Sequence, residues 1–424
     1  MSNKRYYLCV TPFFPSPGNW RGAYVFDQVK AIERQSDYRV LVFVPCGFFK
    51  KPSSFKIAGL TVHRIPCLQM PSYFFNGMSG GLNGQSLIRR LKAIHIDPDD
   101  IAVCHCHTAG FACFATAIKH LNPDVKTVLQ YHDLDPFQIR CGKFAAWRPN
   151  VTYRVKKFTR QFKNIDLHLC ISEHTRYNLL NFPTPHPDEC YAPYLTALHS
   201  AKHLMVPRNI NTYVLYNGVD TTVFRKLPTQ NDHSVFKIGC IANFNDLKDH
   251  ITLIKAVEQI VKHQSDIPLL VSFVGSGPTL VSCREYISKH QLNRYFEFVC
   301  EMPHESLPEY FNTLDLFVLP SYFEGFGCVY TEAAACGVPF IGCINQGYSE
   351  YVPEADRGKW LIKPHDYKTL ATLISRQIKE PITQTLQYPC DINVLVKSYL
   401  SYLSEMHPNQ TFSQLCPFQK LRNS

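Results

Sequence analysis

Glu324 and Glu332 stand in the stretch Leu319-Pro-Ser-Tyr-Phe-Glu-Gly-Phe-Gly-Cys-Val-Tyr-Thr-Glu-Ala-Ala-Ala-Cys-Gly-Val-Pro339 with seven residues between them. The first lies in a Glu-Gly-Phe-Gly loop, where Gly325 and Gly327 let backbone N–H groups come close to a ligand. The second lies in a run from Cys328 to Ala335 that favours helix, stopped by Gly337 and Pro339. A glycine loop feeding a helix N-terminus is a ready anion site, because the first N–H groups lack partners and the dipole offers its positive end. A carboxylate cannot stabilise a phosphate, but it accepts hydrogen bonds from sugar hydroxyls. Together these features imply a ligand that is both phosphorylated and rich in hydroxyls, which is the chemistry of a nucleotide sugar.

The elements that position this loop repeat along the chain. Leu314–Leu319 and Phe340–Cys343 are short apolar runs between turn residues, the profile of buried parallel strands. Similar runs occur at 6–10, 39–44, 60–65, 101–107, 126–131, 165–171, 213–216, 237–242, 269–274 and 296–300. Helical spacing appears at 23–34 (Val25, Phe26, Val29, Ile32), 250–263 (Leu253, Ile254, Val257, Ile260), 370–379 and 394–403. Strands alternating with helices over a chain of 424 residues predict an α/β protein with two doubly wound, Rossmann-like parallel sheets facing across a cleft. The stretch 74–85 carries four glycines and reads as a loop. The expected organisation is an N-terminal domain 1–210, a crossover 211–235, a second domain 236–388, and a C-terminal helix and tail 389–424 packing back on the first domain.

Composition narrows the function classes. No apolar run approaches the ~20 residues of a membrane span. The run Tyr6–Val10, followed by Pro12 and Pro15, reads as a first strand rather than a signal peptide. Seventeen cysteines then imply free thiols in a reducing compartment. Cys104-His105-Cys106-His107 carries metal-ligand residue types. In a strand, however, alternate side chains face opposite sides and the four cannot converge on one ion. A formal net charge of +10 suits an anionic partner such as a nucleotide diphosphate, a lipid diphosphate or an anionic membrane surface. Nucleic-acid signatures are absent from the sequence. Arg154, Lys156, Lys157, Arg160 and Lys163, with Val151, Val155, Phe158 and Phe162 at helical spacing, form a basic amphipathic helix. It reads either as a surface suited to an anionic membrane or a lipid-diphosphate acceptor, or as the solvated side of a packed helix.

The paired glutamates in this strand–loop–helix setting, followed by Ala-Cys-Gly-Val-Pro, closely resemble the signature of retaining glycosyltransferases of family four, which have the GT-B fold. The likeness is strong from Gly239 to Glu350 and diffuse before Asn217. It implies a nucleotide-diphosphate sugar as donor, no metal and no cofactor, and a glycan or lipid-linked acceptor. The implied task is assembly of a surface polysaccharide or glycolipid, in the cytoplasm and peripherally at the inner membrane face.

The resemblance also assigns roles. Lys248 would grip the donor diphosphate together with the N–H groups of Gly325, Phe326 and Gly327. Glu332 would bind ribose hydroxyls and Glu324 the donor sugar. Glu301 and Met302 sit where backbone groups hold the nucleobase. His132, after the strand 126–131, would contact sugar and leaving phosphate, and His107 matches a recurrent histidine. Gly22 would border the acceptor side, although a plain structural turn explains it equally well. Asn243 stands where an arginine is usual, so one diphosphate cation is replaced by a neutral amide. That substitution keeps open a second reading, a non-catalytic nucleotide-sugar-binding scaffold. A dinucleotide oxidoreductase is disfavoured, because no Gly-x-Gly-x-x-Gly follows the first strand.

Overall fold

The structure is a computed structural model that describes residues 6–69, 77–132, 147–187, 189, 192–204, 209–228, 234–264 and 267–406. It divides into two compact units, Met1–Asn217 with Ile392–Ser424, and Gly218–Asp391. Among the described residues no helix is long and apolar enough to cross a membrane.

The first unit is built on eight strands: β1 Tyr6–Val10, β2 Arg39–Gly47, β3 Ser54–Ile57, β4 Leu60–Cys67, β5 Ile101–His107, β6 Lys126–Tyr131, β7 Leu167–Cys170 and β8 Thr212–Val214. Their order is β3-β4-β2-β1-β5-β6-β7-β8, parallel throughout except for the β3–β4 hairpin. The order reverses between β1 and β5, and ligands of open α/β sheets bind beyond the carboxyl ends of strands at such a switch. β8 pairs with β7 as the edge strand (Leu169 opposite Tyr213), so the stretch expected as the crossover begins inside this unit. The helix Ile392–Glu405 belongs to the same unit and packs on Ala23–Gln35. There Tyr399 donates or accepts a 2.9 Å hydrogen bond with Tyr7 of β1.

One expectation is overturned here. The glycine-rich stretch read as a loop over 74–85 is helical from Gly80, within Gly80–Ala93; residues 74–76 lie outside the described set. The glycines serve close packing. A Cβ on Gly80 would lie 3.0 Å from Cβ of Cys113, and one on Gly84 only 2.9 Å from Cβ of Ala117, both on the helix Ala112–Leu121. Helix propensity disfavours such residues, but contact with the neighbouring helix outweighs it.

The basic helix is Arg148–Phe162. Val151, Val155, Phe158 and Phe162 are buried, and Arg154 is buried as well, its guanidinium 5.7 Å from the Phe158 ring centroid. The apolar side of this helix is therefore committed to the core, and Lys156, Arg160 and Lys163 remain as an exposed cationic stripe.

The second unit has six parallel strands: β9 Phe236–Ile241, β10 Leu269–Val274, β11 Phe296–Val299, β12 Leu316–Leu319, β13 Phe340–Cys343 and β14 Leu361–Ile362. Their order is β11-β10-β9-β12-β13-β14, with the switch point between β9 and β12. Strand interiors such as Ile238, Val271, Phe273, Phe317 and Ile341 are wholly buried, as both-sided covering by helices requires. The loops that follow β9 and β12 carry Lys248 and Glu324.

Candidate functional site

In the second unit the site is assembled from loops whose backbones are fixed by glycine. After β9, the chain 242–244 runs against the turn after β10, with Ala242 N–H on the carbonyl of Val274 (3.1 Å) and Phe244 N–H on that of Ser276 (2.8 Å). Gly275 and Gly277 make this approach possible. A Cβ on either would stand 2.2 or 2.3 Å from the carbonyl oxygen of Ala242 or Phe244, and both have φ in the region that side chains avoid, +138° and +149°. Asn243 is exposed on this loop. Asn245 then caps the turn Asp246–Lys248, its Oδ1 accepting from the Lys248 N–H at 3.2 Å. Asp249, in the left-handed region, accepts from Thr252 Oγ1 (2.7 Å) and meets His365 Nδ1 at the same distance.

After β12, the loop delivers Glu324 to Lys248, and the ammonium donates to Oε1 of the carboxylate in a charge-assisted contact. Gln346, in the turn after β13, locks the loop by accepting from the Glu324 N–H (2.6 Å) and donating to the Tyr322 carbonyl (3.2 Å). Gly327, at φ +89°, is the N-cap of the helix Cys328–Ala335. That helix is anchored from beneath. Tyr330 donates to the Leu319 carbonyl at 2.5 Å and stacks on Tyr348, with ring centroids 3.5 Å apart. Tyr348 in turn occupies the space that a side chain at Gly342 would need. The Phe326 side chain is buried against Tyr351, so only its backbone can face a ligand. Glu332 projects from the second turn toward His304 Nε2, 3.4 Å away. Glu301, exposed, accepts from Ser276 Oγ, and Met302 packs partly into the core.

The remaining candidates belong to the first unit. His107, the last residue of β5, and His132, just after β6, are joined Nδ1 to Nε2 at 2.7 Å. Burial depresses both imidazoles, His132 to about 3, and neighbouring His105 adds to the effect on His107. Phe13 and Tyr24 flank His132, with ring centroids 5.7 and 5.2 Å away. Gly22 has a structural requirement of its own. It caps the helix Ala23–Gln35 at φ +90°, and a Cβ there would lie 2.6 Å from the Phe13 carbonyl carbon. Asp133 and Asp135, which follow His132 in the sequence, lie outside the described residues.

Gln346 and His304 were not singled out from the sequence. Both follow a strand end, next to Gly347 and Pro303 respectively, and that position was the available signal.

Two parallel-sheet units, with an anion-suited glycine loop at the switch point of the second, define the GT-B architecture of glycosyltransferases. Solved structures agree on the fold. Anabaena HepE in complex with UDP and glucose matches with a TM-score of 0.64 at 17% identity, over 94% of this chain and 99% of that one. Sucrose-phosphate synthase from Thermosynechococcus elongatus matches with a TM-score of 0.63 at 16% identity, over 94% of both. The family model for glycosyl transferases group 1 matches residues 225–387 and that for glycosyltransferase family 4 matches 22–188. The chain belongs to glycosyltransferase family four. Among curated relatives it is 28% identical over 160 residues to the putative colanic acid biosynthesis glycosyltransferase WcaL of Escherichia coli, covering 36% of this chain. It is 29% identical over 168 residues to the lipopolysaccharide core biosynthesis mannosyltransferase LpsB of Rhizobium meliloti, covering 37% of this chain. The matches span 39% and 46% of those two relatives' own lengths.

Proposed function

We propose that the protein is a retaining glycosyltransferase that moves a sugar from a nucleotide-diphosphate sugar to a glycan or lipid-linked acceptor in surface polysaccharide or glycolipid assembly. The observation that carries this reading is the convergence of Lys248 and Glu324 at the β9/β12 switch point, beside the glycine-capped helix that bears Glu332. The relatives named for colanic acid and lipopolysaccharide core biosynthesis, and the UDP and glucose bound by HepE, support the choice of donor and pathway class.

In this reading the donor diphosphate takes the Lys248 ammonium from Glu324, which turns its carboxylate to the sugar hydroxyls. The C1–O bond breaks and its electron pair stays on the leaving phosphate, where Lys248 and the first N–H groups of the helix 328–335 stabilise the charge. The acceptor hydroxyl forms the new bond to C1 on the face the phosphate leaves, and its proton passes to a phosphate oxygen. Glu332, oriented by His304, holds the ribose. Metal plays no part in this account; the lysine and the helix terminus supply the positive charge. Contact with an anionic membrane is assigned to the stripe Lys156, Arg160 and Lys163. It is electrostatic rather than insertive, because the apolar side of that helix faces the core.

The test is a thermal-shift panel of UDP, GDP, ADP and their sugar conjugates on wild type, Lys248→Ala and Glu332→Ala. A shift with one nucleotide, lost in both variants, is expected. A shift without transfer to any acceptor would favour the scaffold reading that Asn243 raises, and no shift at millimolar nucleotide would overturn the site.

A further inference from the structure

The first unit holds a hydrogen-bonded line of side chains that runs from His132 through His107 to Cys9 in the adjacent strand. Cys9 Sγ of β1 lies 3.6 Å from His107 Nε2, and His107 Nδ1 lies 2.7 Å from His132 Nε2. The two imidazole planes are within 10° of each other and their centroids are 5.0 Å apart. With nitrogens this close, the rings meet edge to edge in nearly one plane, so the contact is a true N–H···N hydrogen bond. At the far end, His132 Nδ1 is buried and has no hydrogen-bond partner among the described residues. On the other side His105 stacks over His107, with ring centroids 4.4 Å apart.

We propose that Cys9 and His107 fix the tautomer of His132: the thiol donates to Nε2 of His107, Nδ1–H of His107 donates to Nε2 of His132, and His132 keeps its one proton on Nδ1. The Nδ1–H is then a donor for a ligand oxygen at the carboxyl end of β6. The direction follows from the chemistry at Cys9. Burial keeps the thiol protonated, with Cys106 nearby adding to the effect, so Cys9 brings a hydrogen that needs an acceptor. An imidazole nitrogen is a good acceptor and a thiol sulfur a weak one. The opposite arrangement would leave the S–H unmatched and ask sulfur to receive an N–H. Because the histidines are neutral, each nitrogen is either a donor or an acceptor, and one proton placed at Cys9 decides the nitrogen two rings away. His107 and Cys9 are positioning residues. His132 is the group that meets substrate, and for that last step the inference rests on the function proposed above.

The deciding experiment is a two-bond ¹H–¹⁵N correlation spectrum of the intact protein labelled at histidine, with signals assigned through His132→Gln and His107→Asn. Both His107 and His132 are expected as Nδ1–H tautomers at neutral pH. Cys9→Ser keeps a hydroxyl donor and is expected to keep both tautomers, whereas Cys9→Ala is expected to bring in the Nε2–H form. An Nε2–H His132 in wild type, or tautomers unmoved in Cys9→Ala, overturns the proposal. Activity gives the second readout: kcat/KM with the donor should fall up to about tenfold in Cys9→Ala and recover in Cys9→Ser, the range of one neutral hydrogen bond. Failure of this relay is separable from failure of the glycosyltransferase reading. The tautomers are read without substrate, so a protein inert toward all donors but with the expected spectrum retains the relay, and an active protein with the opposite spectrum loses it.

Discussion

The two units solve one task, placing polar groups at the carboxyl ends of parallel strands, by opposite means. In the first, chemistry runs through the sheet itself: Tyr7, Cys9, His105, Cys106, His107, Tyr131 and His168 are all strand residues with almost no exposure. In the second, strand interiors are apolar and the polar groups ride on loops, held by glycines that admit backbone against backbone (Gly275, Gly277, Gly347). Strand-borne groups gain fixed geometry but lose water, and so lose their charged states. Loop-borne groups such as Lys248 and Glu324 keep partial access to solvent, 23% and 12% of the side chain, and meet as an ion pair, at the cost of needing a shaped backbone. The first unit should therefore break through protonation and the second through its glycines.

Acid is the largest lever. His105, His132 and His168 are pushed down to about 3 by burial and His107 well below its ordinary value, all in the first unit; in the second, His250 is lowered as far. Their folded pKa values lie below the unfolded value of about 6.5. Below that pH the unfolded chain binds protons that the native state refuses. The stabilisation is complete above about 6.5 and lost as pH falls toward 3. Each such histidine contributes a slope of about 1.4 kcal/mol per pH unit. Several act together in the first unit, so its strands are expected to lose protection first. Hydrogen exchange corrected for intrinsic rates, at pH 7 and 5, checks this: earlier opening of β10 than of β5 and β6 would contradict the contrast.

Next in size is Lys248→Ala, expected to lower kcat by about 10²–10³, the range for removing one preorganised stabiliser of a developing anion. Glu324→Gln should do less damage to nucleotide affinity, because it frees the ammonium. A Glu324→Gln protein that binds nucleotide more weakly than Lys248→Ala would show that the ion pair, rather than the lysine, builds the site.

Gly277→Ala should cost about 2–3 kcal/mol, since its Cβ would strike the Phe244 carbonyl at 2.3 Å and φ is +149°. Denaturant unfolding measures it, and nucleotide affinity should fall in parallel as the 242–248 loop shifts. Gly84→Ala in the first unit is a milder counterpart at about 1 kcal/mol: its helical φ tolerates alanine, but the Ala117 methyl does not. A gain in stability there would mean the two helices separate easily.

These contrasts also explain how much the sequence disclosed. The second unit was the more legible. The helices 250–263 and 328–335 and the strands 269–274 and 340–343 form where glycine, proline and apolar runs indicate. Lys248 and Glu324, 76 positions apart, meet at the switch point that alternating strands and helices imply. The supporting contacts were hidden, because Gln346 on Glu324 and His304 on Glu332 depend on strand order rather than local pattern. In the first unit, local pattern misled outright at Gly80 and Gly84, where a partner helix supplies the stabilisation a single stretch cannot show. Strand alternation argued against four ligands converging within Cys104–His107, yet it gave no hint that His107 reaches His132 in one plane and Cys9 in the adjacent strand.

The smallest expected effect tests the exception. His250 is 2% exposed, stacks on Phe244 with centroids 3.9 Å apart and planes within 10°, and has no hydrogen-bond partner for either ring nitrogen among the described residues. Burial, with Lys248 nearby, pushes it down to about 3, so it is a neutral, unsatisfied ring inside an otherwise apolar wall. Replacing an unsatisfied polar group by an apolar one of similar shape is nearly neutral or stabilising. His250→Phe should thus change stability at pH 7 by no more than about 1 kcal/mol and remove one titrating group from the second unit. The pH dependence measured for β10 should flatten while that of β5 and β6 stays. If His250→Phe instead weakens nucleotide binding at unchanged stability, the second unit also carries chemistry on a buried imidazole, and the division between strand-borne and loop-borne groups fails at that residue.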